Sequence, residues 1–358
     1  MAHLPDLSTR YQNILKATVK HYIATAEPVG SKTLAEEYDL NVSSATIRNA
    51  MGRLENAGLL YQPHVSAGRI PSDSGYRIYV DRLLVRDENI GKIIAQFLQH
   101  ELQSEKGSFE ALLQRATKIL AALSGYIALI TFPQKLNTTL HHLQLVRVAS
   151  GQIMLIVVTD SYHTQSLLIE SPFKNEAAID EEAIAGELQI LSNFLNQQLK
   201  GQSLDKIITI DWQEIDRQFA CYTGFLKKLA ATIQHSLQPS TFNPIAIHGV
   251  AEILRQPEFS QLDQVQTLLY LLEEEQEQLL PVIFSISDLE RQLQKVKIVI
   301  GAENPLEPMQ ICTLVSANYY QDNIPIGSVG VIGPTRMLYE NAIALVESTA
   351  DYLSDTFK

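Results

Sequence analysis

A helix capped by Ser43 or Ser44 and closed by Gly58 would present Ser43, Ser44, Thr46, Arg48, Asn49 and Arg53 on one polar face. These residue types can read duplex DNA. Arg pairs in bidentate fashion with guanine, Asn pairs with adenine, and Ser or Thr bonds to base edges or phosphates. The first N–H groups of such a helix also favour a phosphate. The opposite stripe, Ile47, Ala50, Met51 and Leu54, recurs at helical spacing and suits docking on a core. An ordinary surface helix has the same two faces, so the flanking segments decide between them. Upstream, Pro28 and Gly30 break the chain, Ser31 opens a short helix to Tyr38, and Asp39–Val42 makes a turn. Downstream, two short strands, Leu59–Tyr61 and Arg69–Ile70, flank Gln62–Gly68. Helix, turn, helix and then hairpin is the order of a winged helix. In the hairpin, His64, Ser66 and Arg69 are placed to reach phosphate or the minor groove, and small residues let the tip approach the DNA backbone. Together with the helical set, they form the candidate DNA-binding residues.

Other chemistry-bearing groups converge poorly. Asp160-Ser161-Tyr162-His163 holds the types needed for nucleophilic catalysis, but neighbours on a turn seldom form a base–nucleophile pair. His141 and His142 precede a strand, where successive side chains face opposite ways, so a shared metal is not expected. Gly327–Gly333 has the glycines of a phosphate loop without its Gly-Lys-Ser/Thr ending, and reads as a strand. Glu273–Glu277 reads as the solvated face of a helix whose other side is leucine-rich. Cys221 and Cys312 are far apart and make neither a metal pattern nor a disulfide framework. No catalytic residue, metal or cofactor is expected.

The elements that must position the DNA-reading face extend through the chain. A first helix carries Ile14, Leu15, Val19, Tyr22 and Ile23 behind a Ser8 or Thr9 cap, and a helix capped by Ser72 or Asp73 leads out of the region. Then come a long helix over about Glu88–Leu123 and strands at Gly125–Phe132, Leu140–Ala149, Ile153–Thr159 and Thr164–Ile169. Helices follow at Glu181–Leu199, Asp211–Leu237, Leu262–Leu280 and Ile286–Gln294, with a strand at Ile245–Val250. Strands return at Val296–Ile300, Gln310–Tyr319 and Gly327–Ile332, before a closing helix at Arg336–Asp355. This order implies an α+β fold interrupted by a mostly helical insertion. The expected divisions are 1–86, 87–175, 176–244 and 245–358.

The charge distribution permits DNA binding without demonstrating it. The net charge of −12 argues against a nonspecific nucleic-acid binder. Residues 1–86, however, hold 10 Lys and Arg against 8 Asp and Glu, a balance of +2, while the remainder carries −14. No apolar run approaches the ~20 residues of a membrane span, and Met1–Asp6 has no signal-peptide character. A reducing cytoplasm is the expected location.

Several segments carry a family resemblance. They are Glu27–Leu34, Ser43–Asn49 with Met51, Leu54-Glu55, Gly58–Leu60, His64–Ser72 and Gly75–Arg77, followed more loosely by Gln256–Phe259, Ile298–Gly301 and Gly327–Met337. In these the chain resembles the heat-inducible transcription repressors of the HrcA family over nearly its whole length. The resemblance implies a bacterial repressor of class I heat-shock operons, which encode chaperones. It further implies a homodimer on the CIRCE inverted-repeat operator, and an architecture of winged helix, GAF-like domain and inserted dimerising domain. The GroEL chaperonin is the implied modulator. The competing expectation is a small-molecule sensor or enzyme to which the winged helix is a regulatory attachment; a pocket with converging polar groups would favour it.

Overall fold

A computed structural model describes residues 7–86, 88–102, 109–133, 139–159, 164–173, 181–202, 222–236, 245–253, 255–259, 262–284 and 295–357. The N-terminal helices are α1 (Thr9–Thr25), α2 (Ser31–Glu37) and α3 (Ser44–Asn56). A small hairpin follows, with β1 (Leu60–Tyr61) antiparallel to β2 (Ile70–Pro71), and then α4 (Asp73–Ile78), which continues through a π turn to Leu83. The longer helices that follow among the described residues are α5 (Glu88–Leu102), α6 (Phe109–Ser124), α7 (Glu181–Leu199), α8 (Thr223–Ser236), α9 (Leu262–Glu273), α10 (Gln276–Ile283) and α11 (Tyr339–Thr356). The remaining strands are β3 (Ile127–Thr131), β4 (Leu140–Ala149), β5 (Gln152–Thr159), β6 (Thr164–Glu170), β7 (Ile245–His248), β8 (Val296–Ile300), β9 (Cys312–Gln321) and β10 (Ile324–Pro334).

The chain divides into two compact units. The first comprises Met1–Phe132 and Pro244–Lys358, and the second Pro133–Asn243. At the centre of the first is an antiparallel sheet in the order β7-β3-β10-β9-β8. Strand alternation feeds two separate cores. Ala128 and Ile130, Val329 and Val331, and Val315 and Tyr319 face Leu113 and Leu120 of α6 and Ile343 and Val346 of α11. Ile127, Leu129, Ile332, Leu314 and Cys312 face Leu268 and Leu272 of α9 and Leu279 and Ile283 of α10. Burial on the latter face pushes the Cys312 thiol up to about 12, as suits a packing residue. The core of the N-terminal helices is continuous with that of the sheet: Leu15, Ile47, Leu54, Tyr76 and Tyr79 belong to the same apolar cluster as Tyr339 and Val346. The division expected after residue 86 is therefore not a break in packing.

The second unit begins earlier than the expected residue 176. β4, β5 and β6 pair with one another, not with the five-stranded sheet. One face of this sheet, Leu143, Leu145, Ile153, Leu155 and Val157, packs on Ile184, Leu188, Leu191 and Leu195 of α7 and on Leu226 and Leu229 of α8. The edge of β4 is closed by helix side chains. Ser192 Oγ accepts from Leu143's neighbour-but-one, Leu145 N, at 2.9 Å, and Asn196 both accepts from Leu143 N (2.8 Å) and donates to Leu143 O (2.6 Å). In the first unit Thr131 pairs with Ile245 across β3 and β7, so the chain leaves and re-enters that sheet at adjoining strands.

One expected long helix is divided: Leu262–Leu280 breaks between Glu273 and Gln276, where Glu275 leaves helical geometry (φ −120°, ψ 36°). The acidic run thus sits at a corner instead of along one face. Of the helix expected over Glu88–Leu123, Glu88–Leu102 and Phe109–Ser124 are helical, and residues 103–108 lie outside the described residues. Asp160–His163, residues 211–221 of the helix expected over Asp211–Leu237 (Cys221 among them) and Ile286–Gln294 lie outside the described residues.

Candidate nucleic-acid interface

The polar face of α3 is built by its cap and its buried stripe. Ser43 has extended backbone (φ −67°, ψ 153°), and its hydroxyl accepts from Thr46 N at 3.3 Å and bonds Thr46 Oγ1 at 3.0 Å. Ile47, Ala50, Met51 and Leu54 are buried against α1 and α2. That rotation leaves Ser43, Ser44, Arg48, Asn49 and Arg53 exposed, with Thr46 half-buried beneath the cap. Arg48 and Asn49 have no side-chain hydrogen bond or ion pair among the described residues. Arg53 has one, donating to Tyr11 Oη of α1 at 2.9 Å. The free fork of Arg48 and the free amide of Asn49, one residue apart, match the donors and acceptors of a guanine and an adenine edge.

The hairpin tip stands beside this helix. Gln62 closes it from within, its amide donating to Val65 O (3.0 Å) and Ala67 O (2.8 Å). His64, Val65 and Ser66 are exposed, Val65 fully so. Gly68 makes the close approach that anchors the hairpin: a Cβ there would lie 2.5 Å from the Val29 carbonyl carbon and 2.6 Å from Pro28 O. Arg69 and Val29 then exchange backbone hydrogen bonds at 2.9 and 3.1 Å.

That bridge changes the expected role of Arg69. Its side chain is turned onto the last turns of α3, where Nε and Nη2 both contact Glu55 Oε2 at 2.8 Å and only 20% of the side chain is exposed. The cation expected at the tip is already paired and fixes the hairpin to α3. The roles of Tyr11, Glu55 and Gln62 were not assigned from the sequence, because each acts through a partner that only the fold brings near. Arg69→Ala is therefore expected to shift the slope of log affinity against log salt by much less than the one unit that a phosphate contact would remove. It should also destabilise by about 1 kcal/mol, a value reduced for partial exposure of the pair. Salt titrations of DNA binding with thermal melts check this; a full unit of slope would show that Arg69 leaves Glu55 for DNA.

The remaining candidates that lie among the described residues are dispersed. Gly327 and Gly333 lie in β10, where they leave room for the Tyr319 and Tyr126 rings. His141 and His142 are both exposed on β4. Among the described residues no three His, Cys, Asp or Glu side chains group as metal ligands, and no helix is long and apolar enough to cross a membrane. A groove of about 790 Å³ between α5 and α11 contains Arg86, Glu347 and Asp351. Arg86 pairs with Glu347 there, and Lys295 pairs with both Glu347 and Asp351.

The family model described as the HrcA protein C-terminal domain matches residues 110–343. The chain belongs to the HrcA family. Relatives named heat-inducible transcription repressor HrcA extend the match through the N-terminal helices of this HrcA-family chain. That of Trichormus variabilis is 56% identical, covering 98% of this chain and 99% of the relative. That of Synechocystis is 52% identical, covering 98% and 97%. A solved structure described as a hypothetical protein has a TM-score of 0.65 at 22% identity, covering 98% of this chain and 99% of the other, a likeness of fold.

Proposed function

We propose that this chain is a heat-inducible transcription repressor, a cytoplasmic negative regulator of class I heat-shock operons that binds the CIRCE inverted repeat as a homodimer. In this reading residues 1–86 are the winged-helix head and α3 is the recognition helix. Arg48 and Asn49 read bases; Ser43, Ser44, Thr46 and Arg53 bond to phosphates or base edges, and His64 and Ser66 follow the backbone from the hairpin. The five-stranded core is the GAF-like domain, Pro133–Asn243 is the dimerising insertion, and GroEL is the modulator. The observation that carries the reading is the unpartnered Arg48–Asn49 pair on a capped helix beside an exposed hairpin tip, in a chain of this family.

Dimerisation follows from a deficit. One head reads only a few base pairs, and a balance of +2 supplies little electrostatic affinity. Two heads on a two-fold axis double the contacts and require a palindromic site. The test is a gel shift with a CIRCE duplex and a scrambled duplex, with and without GroEL. Retardation of the CIRCE duplex alone, strengthened by GroEL, is expected; equal retardation of both overturns the reading.

The interface is tested by excision. Because Thr131 and Ile245 are paired neighbours and the second unit has a core of its own, a short turn can replace residues 133–243. The shortened chain is expected to sediment as a monomer and the full chain as a dimer. A shortened chain that stays dimeric moves the interface to the first unit.

A further inference from the structure

The first turn of α3 divides its side chains by task. Ser43 and Thr46 are bonded to each other at the cap, their hydroxyl oxygens 3.0 Å apart, and Ser43 Oγ also accepts from Thr46 N. Ala45 lies between them in sequence, takes no part in the cap, and is exposed. At about 100° per residue it stands about 160° around the helix from Ile47 and about 40° from Asn49. The buried stripe is Ile47, Ala50, Met51 and Leu54. Ala45 and Asn49 therefore share the line that points most directly away from the core, with Arg48 to one side of it and Arg53 to the other. A surface that approaches this face meets the Ala45 methyl and the Asn49 amide first.

We infer that Ala45 is a specificity-determining residue, its methyl packing on the C5-methyl of a thymine one or two base pairs from the adenine that Asn49 reads. The inference rests on the reading of α3 as the recognition helix. Residues in the N-terminal turns of such a helix are the ones that meet base edges. Ala45 brings no side-chain donor or acceptor to that meeting. The apolar feature of a major-groove edge is the thymine methyl, which marks T·A apart from the other base pairs. Residues four apart on one line of a helix are separated by about 6 Å of rise, and base pairs stack about 3.4 Å apart, which sets the distance between the two bases read. Contact removes both methyl groups from water. The Ala45 methyl is exposed in the free protein, so this burial stabilises the complex alone.

The experiment titrates the full-length parent and Ala45→Gly against the inverted-repeat operator, with deoxyuridine replacing thymine at one position of each half-site at a time. Deoxyuridine keeps the base pairing and removes the methyl. For the parent, one such position is expected to weaken binding by about fourfold per half-site, the loss that burial of a single methyl implies. Ala45→Gly is expected to bind the thymine operator about as weakly as the parent binds that deoxyuridine operator, and to lose nothing more when the same thymine is replaced. Each penalty is a ratio between two operators on one protein sample, so a fraction of the variant left unfolded by the glycine scales both affinities and cancels. A parent indifferent to deoxyuridine at every position overturns the inference. So does a set of deoxyuridine penalties that Ala45→Gly leaves unchanged, which would assign the methyl to another apolar group such as the exposed Val65. A parent that binds the operator no better than a scrambled duplex overturns the repressor reading instead.

Discussion

Arg48→Ala is expected to weaken operator binding by about 1–3 kcal/mol and to relax sequence preference at one base position in each half-site. The reasoning is geometric. Arg48 lies just over one turn into α3, beside the buried stripe of Ile47 and Met51, and is exposed with no partner among the described residues. Removing it therefore costs the free protein almost nothing, and the loss falls on the complex. An arginine bound to phosphate behaves differently: its loss weakens every sequence equally and lowers the salt slope by about one unit. A titration of the parent and variant against an operator set substituted one base at a time separates the two. Uniform weakening across the set would assign Arg48 to the backbone. Asn49→Ala should relax preference at a neighbouring position. Arg53→Ala should do so less, because its guanidinium is already engaged by Tyr11.

Much of this site was legible in the sequence, because local rules determine it. Ser43 caps α3, Ile47, Ala50, Met51 and Leu54 form its buried stripe, and the outward residues follow from a 100° turn per residue. The hairpin's place was legible too, but the direction of Arg69 was not. That direction depends on the Val29–Arg69 bridge, a contact across 40 residues that no local pattern encodes. The contacts of the N-terminal helices with the rest of the first unit are further from reach still, since Arg77 meets Glu303 and Arg336 meets Ile23. The start of the second unit was misplaced for another reason. β3 and β4 both read as strands, yet β3 is apolar at nearly every position because both its faces are covered, while β4 is buried on one face only. The change from a continuous to an alternating pattern across Pro133 was the available signal.

Gly75→Ala and Gly52→Ala should move stability in opposite directions, although both place alanine in a helix. Helix propensity alone favours alanine over glycine by about 1 kcal/mol at each position. At Gly52, on α3, an added Cβ meets nothing within 4 Å, so that gain should appear in full. At Gly75, in α4, the Cβ would drive into the carbonyl of Leu59, 3.2 Å from its carbon and closer still to its oxygen. The same oxygen accepts from Ser72 N at 3.1 Å, and Ser72 Oγ both accepts from Gly75 N at 3.1 Å and donates to Gly58 O at 2.6 Å. Backbone stands on both sides of the contact, so no side chain can rotate away to relieve it. Relief requires α4 to part from the β1 strand, which disturbs the Ser72 cap and the seat of Tyr76 together. Overpacking of this kind costs about 1–3 kcal/mol, and contact with a fixed backbone places it at the upper end. The propensity gain offsets only part of that, leaving a net loss of about 2 kcal/mol. For a unit of this size such a loss lowers the melting temperature by roughly 4–8 °C, whereas Gly52→Ala should raise it by about 2–4 °C. Thermal melts of the two variants beside the parent decide the matter; a Gly75→Ala protein as stable as the parent would mean that α4 is not held against Leu59 as the structure has it.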